Sequence, residues 1–173
     1  METLKAIFTR QSVRSYAAEQ ISREDLEIIL KAACAAPVAN GKFEEVHLTV
    51  LQDQKLMDRI TACAAKTTGN PDLKPFYGAP TVILVSCIPG KNLVYANAAC
   101  MIENMAIAAA DRGLGSVYLW GFIDSLCKDT ELLKELKLPE GFAPISAIAV
   151  GHPTTALAER EVSLEKVGIT YLR

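Results

Sequence analysis

Arg10-Gln11-Ser12-Val13-Arg14 places two arginines and a serine within five residues. A guanidinium offers a planar fork of donors that matches a phosphate, and it keeps its charge throughout the physiological pH range. A serine hydroxyl adds one more donor. The chain carries a net charge of −2, so a local cationic pair points to a discrete anionic ligand such as a phosphate monoester. A solvated basic patch at a helix end is the competing reading. Other chemistry is scarce. His47 and His152 are the only histidines. Neither stands in a Ser-His-Asp arrangement at motif level, and no metal-ligand spacing exists. Gly113-Leu114-Gly115 hints at a dinucleotide loop, but a helix precedes it and a strand follows, the reverse of what that loop requires. A phosphate-type cluster in a chain poor in catalytic side chains implies chemistry that belongs to a bound cofactor. The protein then supplies binding, orientation and electrostatics.

The 173 residues suit one domain. Half of them are apolar and the mean hydropathy is +0.19, more than a monomer's surface needs. Burial in an oligomer is an outlet for that surplus. With a pI of about 5.7, neither a nucleic acid nor an anionic membrane is an expected partner. The N-terminus METLKAIFTRQ lacks the long apolar run of a signal peptide. Asn97, Glu103 and Asn104 interrupt the apolar stretch from Ala96 to Ala110, which argues against a membrane span. The five cysteines (Cys34, Cys63, Cys87, Cys100 and Cys127) are far apart and form no C-x-x-C pair. Their apolar neighbours predict buried free thiols in a reducing cytoplasm.

The elements that must position the cluster follow from periodicity. Leu4, Ile7 and Phe8 start a short helix. Ser22 caps a second, with Asp25 reaching back and Leu26, Ile29, Leu30 and Ala33 at helical spacing before Pro37 stops it. Glu45 to Leu51 reads as a strand. Asp53 caps a helix carrying Leu56, Ile60 and Ala64, and Thr67 to Gly78 is a loop. Thr81 to Ser86 is a buried strand. Asn92 to Arg112 is a long central helix ended by Gly113. A strand at Ser116–Leu119, an amphipathic helix at Lys128–Leu136 and a buried strand at Pro144–Val150 follow. From Gly151 onward an extended arm is expected. This order makes a three-layer domain of helices over a small sheet.

Taken in order, several segments resemble the nitroreductase family of FMN-dependent oxidoreductases. Arg10-Gln11-Ser12-Val13-Arg14 matches the family's R-x-S-x-R, whose side chains hold the FMN phosphate. Ala35-Ala36-Pro37-Val38-Ala39-Asn40-Gly41-Lys42 stands where the family has an A-P-S/T segment leading into the flavin ring site. Tyr77-Gly78-Ala79-Pro80 before TVILVS resembles its A-P strand entry. Asn97 to Ser116 is similar to its central dimer helix. Leu138-Pro139-Glu140-Gly141-Phe142, ahead of a strand ending Val150-Gly151-His152-Pro153, is also typical of it.

The resemblance implies an α+β fold with a small mixed, mostly antiparallel sheet flanked by helices. It implies one domain over residues 1–173 with the arm from about 151, in an intertwined homodimer with FMN at the subunit interface. NADH or NADPH would be the co-substrate and a nitroaromatic or quinone the acceptor, in a ping-pong cycle. Arg10, Gln11, Ser12 and Arg14 would hold the phosphate, with Arg160 as a late basic residue there. Tyr118, Leu119, Trp120 and Gly121 would lie against the ring, the Trp120 or Gly121 backbone N–H facing N5, with no catalytic side chain and no metal. Trp120 also reads as a plain core aromatic and Arg160 as a surface arginine. One departure matters. Many members carry N-x-Q-P-W after the A-P-S segment, and here Asn40-Gly41-Lys42-Phe43 lacks Gln-Pro-Trp. Asn40 or Lys42 would substitute, Lys42 near flavin N1 favouring the anionic reduced ring, although it also reads as a solvated loop lysine. The missing segment leaves open an FMN storage or sensing protein without turnover. A flavin-free oligomerisation domain is the third reading.

Overall fold

A computed structural model describes residues 2–90 and 92–173. Helix α1 (Thr3–Thr9) is short. Helix α2 (Arg23–Cys34) begins at Ser22, whose Oγ accepts from the Asp25 N–H at 3.0 Å. The same hydroxyl donates to the Asp25 carboxylate at 2.6 Å, so Asp25 reaches back to the side chain of its cap. In α3 (Gln54–Thr68) the Asp53 carboxylate accepts from the Lys55 and Leu56 N–H groups, and Gly69 closes the helix at φ 68.

Strands β1 (Val46–Leu51), β2 (Thr81–Cys87), β3 (Gly115–Leu119) and β4 (Ala143–Gly151) form one sheet in the order β1-β2-β4-β3. All three pairings are antiparallel. The expected mixed character reduces to a single parallel bridge between Ser12 and Ser116. The central strands β2 and β4 are buried on both faces, which is why their sequences are mostly apolar, interrupted by the buried Thr81, Ser86 and Ser146. On one face Ile83, Val85, Ile148 and Val150 pack with Ile29 and Met105 of the helical layer α2 and α4 (Leu93–Asp111). On the other, Leu84, Ala147 and Ala149 pack with Ile60 of α3 and Phe122. That second layer also holds α5 (Ile123–Lys128) and α6 (Thr130–Glu135).

Three sequence expectations need correction. The helix predicted over Lys128–Leu136 is present as α6, but α5 falls at Ile123–Lys128, where no helix is expected, and the two meet at Asp129. That residue is extended at φ −97, ψ 99, and its carboxylate caps the Glu131 and Leu132 N–H groups. Six-residue helices are too short to register as a period. The cysteines are free but not uniformly buried. Cys87 is buried, Cys34 is exposed and the other three are intermediate. Burial pushes the Cys87 thiol up to about 11.

Third, α4 is long and apolar enough, by length and composition, to cross a membrane. In the fold it is the central helix, with Ala98, Met101, Met105 and Ala109 buried. Its polar interruptions have specific partners. Asn97 Oδ1 accepts from the Ala39 N–H at 3.0 Å, Asn104 Nδ2 donates to the Ala32 carbonyl at 3.1 Å, and Glu103 meets Arg10.

The phosphate-type cluster sits in a segment laid across the ends of β3 and β4. The Val13 N–H donates to the Ser116 carbonyl at 2.9 Å and the Ala17 N–H to the His152 carbonyl at 2.9 Å. Two glycines permit this approach. A Cβ on Gly115 would stand 2.9 Å from three Val13 carbons, and one on Gly151 would stand 3.0 Å from Tyr16 Cδ1 and 2.8 Å from Pro80 Cδ. Gly113, at φ 73, turns the chain out of α4. The arm is tied at first, with the Thr154 N–H donating to the Ser15 carbonyl and the Arg160 N–H to the Phe8 carbonyl. Beyond Arg160 its apolar side chains are exposed, Leu172 at 92%.

Candidate functional site

Gln11, Ser12 and Arg14 line an open cleft of about 320 Å³, faced by Thr154 and Thr155. Arg10 lies outside this lining. Its Nε is 3.4 Å from Glu103 Oε1 on α4. Arg160 also lies outside it. Its Nε donates to the Phe8 carbonyl at 3.1 Å and its Nη2 to the Ile7 carbonyl at 3.4 Å. These carbonyls belong to the last turn of α1, where a cation is favoured, so Arg160 clasps the arm to that helix. Arg14 has a different neighbour. Its guanidinium carbon lies 5.8 Å from the centroid of the Tyr77 ring. Among the described residues Arg14 makes no ion pair.

A second cleft, about 510 Å³, is lined by Tyr118, Leu119, Trp120 and Gly121 on one side and by Asn70, Lys74 and Tyr77 on the other. Leu119 is buried and forms its floor. Trp120 is 53% exposed, so the core-aromatic reading does not hold. Its ring tilts 37° against Tyr95 with centroids 5.6 Å apart. A Cβ on Gly121 would meet nothing within 4 Å, so a flat group can approach the backbone there.

Asn40 and Lys42 line a third, small cleft of about 90 Å³ with Glu45 and Asn97. Asn40 (φ 58) and Gly41 (φ 66) adopt successive left-handed conformations, which asparagine and glycine tolerate best. Asn97 fastens the preceding residue, as described above. Lys42 Nζ lies 2.6 Å from Glu45 Oε1, and that hydrogen bond holds the Lys42 ammonium above its ordinary pKa. Lys42 is therefore paired with Glu45 while its side chain stays 44% exposed. This cleft shares no lining residue with the other two.

The family model for nitroreductases matches residues 7–152. The chain belongs to the nitroreductase family. An Archaeoglobus fulgidus protein, provisionally named NADH dehydrogenase/NAD(P)H nitroreductase, is 33% identical over 155 residues, covering 88% of this chain and 86% of its own. An FMN-bound nitroreductase from Bacteroides fragilis covers 99% of this chain with 100% of its own, at a TM-score of 0.82 and 29% identity. The FMN-bound nitroreductase of Desulfitobacterium hafniense covers 100% of both chains, at a TM-score of 0.87 and 25% identity.

In this nitroreductase the fold brings Gln11, Ser12 and Arg14 together and gathers Tyr118 to Gly121 beside them. It leaves Arg10, Arg160 and the Asn40–Lys42 loop outside those two clefts. Sequence reasoning did not nominate Tyr77, Tyr95, Lys74, Thr154 or Thr155 as site residues. Tyr77 stood only in a strand-entry motif, and Tyr95 lies on the helix expected over Asn92–Arg112. The threonines follow a strand end and reach the cleft only because that end lies beside Ser15. No local pattern carries these placements.

Proposed function

We propose that this nitroreductase binds FMN and acts as an NAD(P)H oxidoreductase. One observation carries the reading. A cleft with exposed donors and an arginine that makes no ion pair among the described residues adjoins an open aromatic cleft, with Arg14 and Tyr77 in contact between them. The donor chemistry fits a phosphate at one end and a flat apolar ring at the other. The FMN-bound relatives, and a Bacillus subtilis FMN reductase 24% identical over 92% of this chain, support the same reading.

Gln11, Ser12 and Arg14 would hold the phosphate, with Arg10 adding positive potential from farther off. Tyr118, Leu119, Trp120 and Gly121 would hold the ring, with a backbone N–H of Trp120 or Gly121 directed at N5. When bound, FMN supplies the hydride chemistry, accepting hydride from NADH or NADPH and delivering it to an organic acceptor such as a nitroaromatic or quinone. The chain's own part is to bind, orient and exclude. The tilted Trp120–Tyr95 pair presents an apolar wall against which a planar nicotinamide or acceptor can stack.

A homodimer accommodates the remaining features. A second copy would cover the exposed arm residues Val162, Leu164, Val167 and Tyr171 and bring its Asn40, Gly41 and Lys42 toward the ring. Residues 1–173 then act as one domain with a clasping C-terminal arm. The free cysteines suit a reducing cytoplasm.

Initial rates at several fixed acceptor concentrations test the cycle. Parallel double-reciprocal lines against NADH or NADPH are expected for ping-pong exchange in one cleft. Intersecting lines contradict it, and tight FMN binding without turnover would favour the storage or sensing reading.

A further inference from the structure

Tyr77 has a left-handed backbone, φ 55, that a residue bearing a Cβ adopts at a cost. Such strain persists where the surroundings over-determine it, commonly at functional sites. Core packing does not explain it, because Tyr77 remains 37% exposed. The ring has a specific neighbour, the guanidinium of Arg14.

We infer that Tyr77 is a positioning residue that aims Arg14 at the phosphate end of the site and so sets the preference for a phosphorylated flavin over an unphosphorylated one. The inference rests on the FMN reading above. The way Arg14 is held is what matters. Arg10 is held by the carboxylate of Glu103, which offsets its charge. A ring engages the guanidinium by its face through a cation–π contact, leaving the charge whole and the N–H edge free for an anion. Arg14 lines the phosphate-type cleft and Tyr77 lines the aromatic one, so their contact is part of the wall between the two. Gly78 follows at φ 78, so two left-handed residues in a row turn the Tyr77 ring out of the loop that ends at β2.

Apoprotein affinities for FMN and for riboflavin, which lacks the phosphate, test this by quenching of flavin fluorescence. The readout is the ratio of the two Kd values, which cancels any direct contact of Tyr77 with the ring common to both ligands. Tyr77→Phe keeps the face and should keep the wild-type ratio. Tyr77→Gly relieves the backbone strain and should hold or raise Tm, yet lose FMN affinity about fivefold, within the range of cation–π contacts, with riboflavin affinity nearly unchanged. In an Arg14→Ala background Tyr77→Gly should no longer move the ratio. A wild-type ratio in Tyr77→Gly, or an equal loss in Tyr77→Phe, overturns the inference and leaves the FMN reading intact. A wild-type protein that binds FMN no better than riboflavin removes the phosphate site, and this inference with it.

Discussion

Gly115→Ala tests whether the anchor segment is seated on the sheet as described. The backbone at Gly115 is not left-handed, so alanine is acceptable locally, and the cost is steric. Its Cβ would stand 2.9 Å from Cβ, Cγ1 and Cγ2 of Val13. Valine is β-branched and stiff at χ1, so rotation cannot relieve all three contacts. The Val13 N–H is also tied to the Ser116 carbonyl at 2.9 Å, so the segment can shift only by loosening that bond. Overpacking of this kind costs about 1–3 kcal/mol. Replacing glycine recovers about 0.4–1 kcal/mol through the unfolded chain. The net is about 1–2 kcal/mol, and for a chain of this size Tm should fall by roughly 2–8 °C. Thermal unfolding at fixed protomer concentration measures it, in a cycle with Val13→Gly, which removes all three carbons. The pair should couple by about 1 kcal/mol or more, so that the double variant is more stable than the sum of the single losses. Because the shift moves Ser12 and Arg14, Gly115→Ala should also weaken FMN binding. A neutral Gly115→Ala with no coupling to Val13→Gly would refute the seating.

Arg14→Ala should weaken FMN binding by about 10-fold or more, the scale of a charge-assisted hydrogen bond, as a binding titration would read. Arg160→Ala should leave FMN affinity nearly unchanged and instead speed proteolysis of the arm beyond residue 160, followed by mass spectrometry. Asp25 is held below the usual carboxylate range, first by the Ser22 hydroxyl and then by Arg112. A depressed folded-state pKa adds stability above the unfolded value and loses it as pH falls, so wild type should lose stability below about pH 4. Asp25→Asn should flatten that limb in urea unfolding at several pH values. Cys87, buried with its thiol pushed up to about 11, should resist iodoacetamide at pH 8 in the native protein and react only in denaturant, as peptide mapping would show.

How much of this was legible in the sequence depends on the range of each signal. The caps at Ser22 and Asp53, the stop at Gly113 and the alternation or apolar runs of the four strands are local, and each element appeared where its residues indicated. Helix α5 was not legible because six residues are too few to show a period. The phosphate-type cluster was legible as residue types, but not which of its cations is compensated. Arg10 meets Glu103, 93 positions away, Arg160 meets α1, and Lys42 meets Glu45. Arg14 differs because Tyr77, 63 positions on, lies under it. Trp120 read as a site residue with a core aromatic as the alternative until the end of β3 left it in the open.

The central claim is that this chain holds a flavin that nicotinamide can reduce. The most direct test is an anaerobic titration of the purified, FMN-loaded protein with NADH and with NADPH, followed in the visible flavin band. Loss of that band with at least one nicotinamide, and its return on adding a quinone or nitroaromatic, is the expected result. A protein that takes up no FMN, or one whose bound flavin keeps its full absorbance with both nicotinamides, would contradict it.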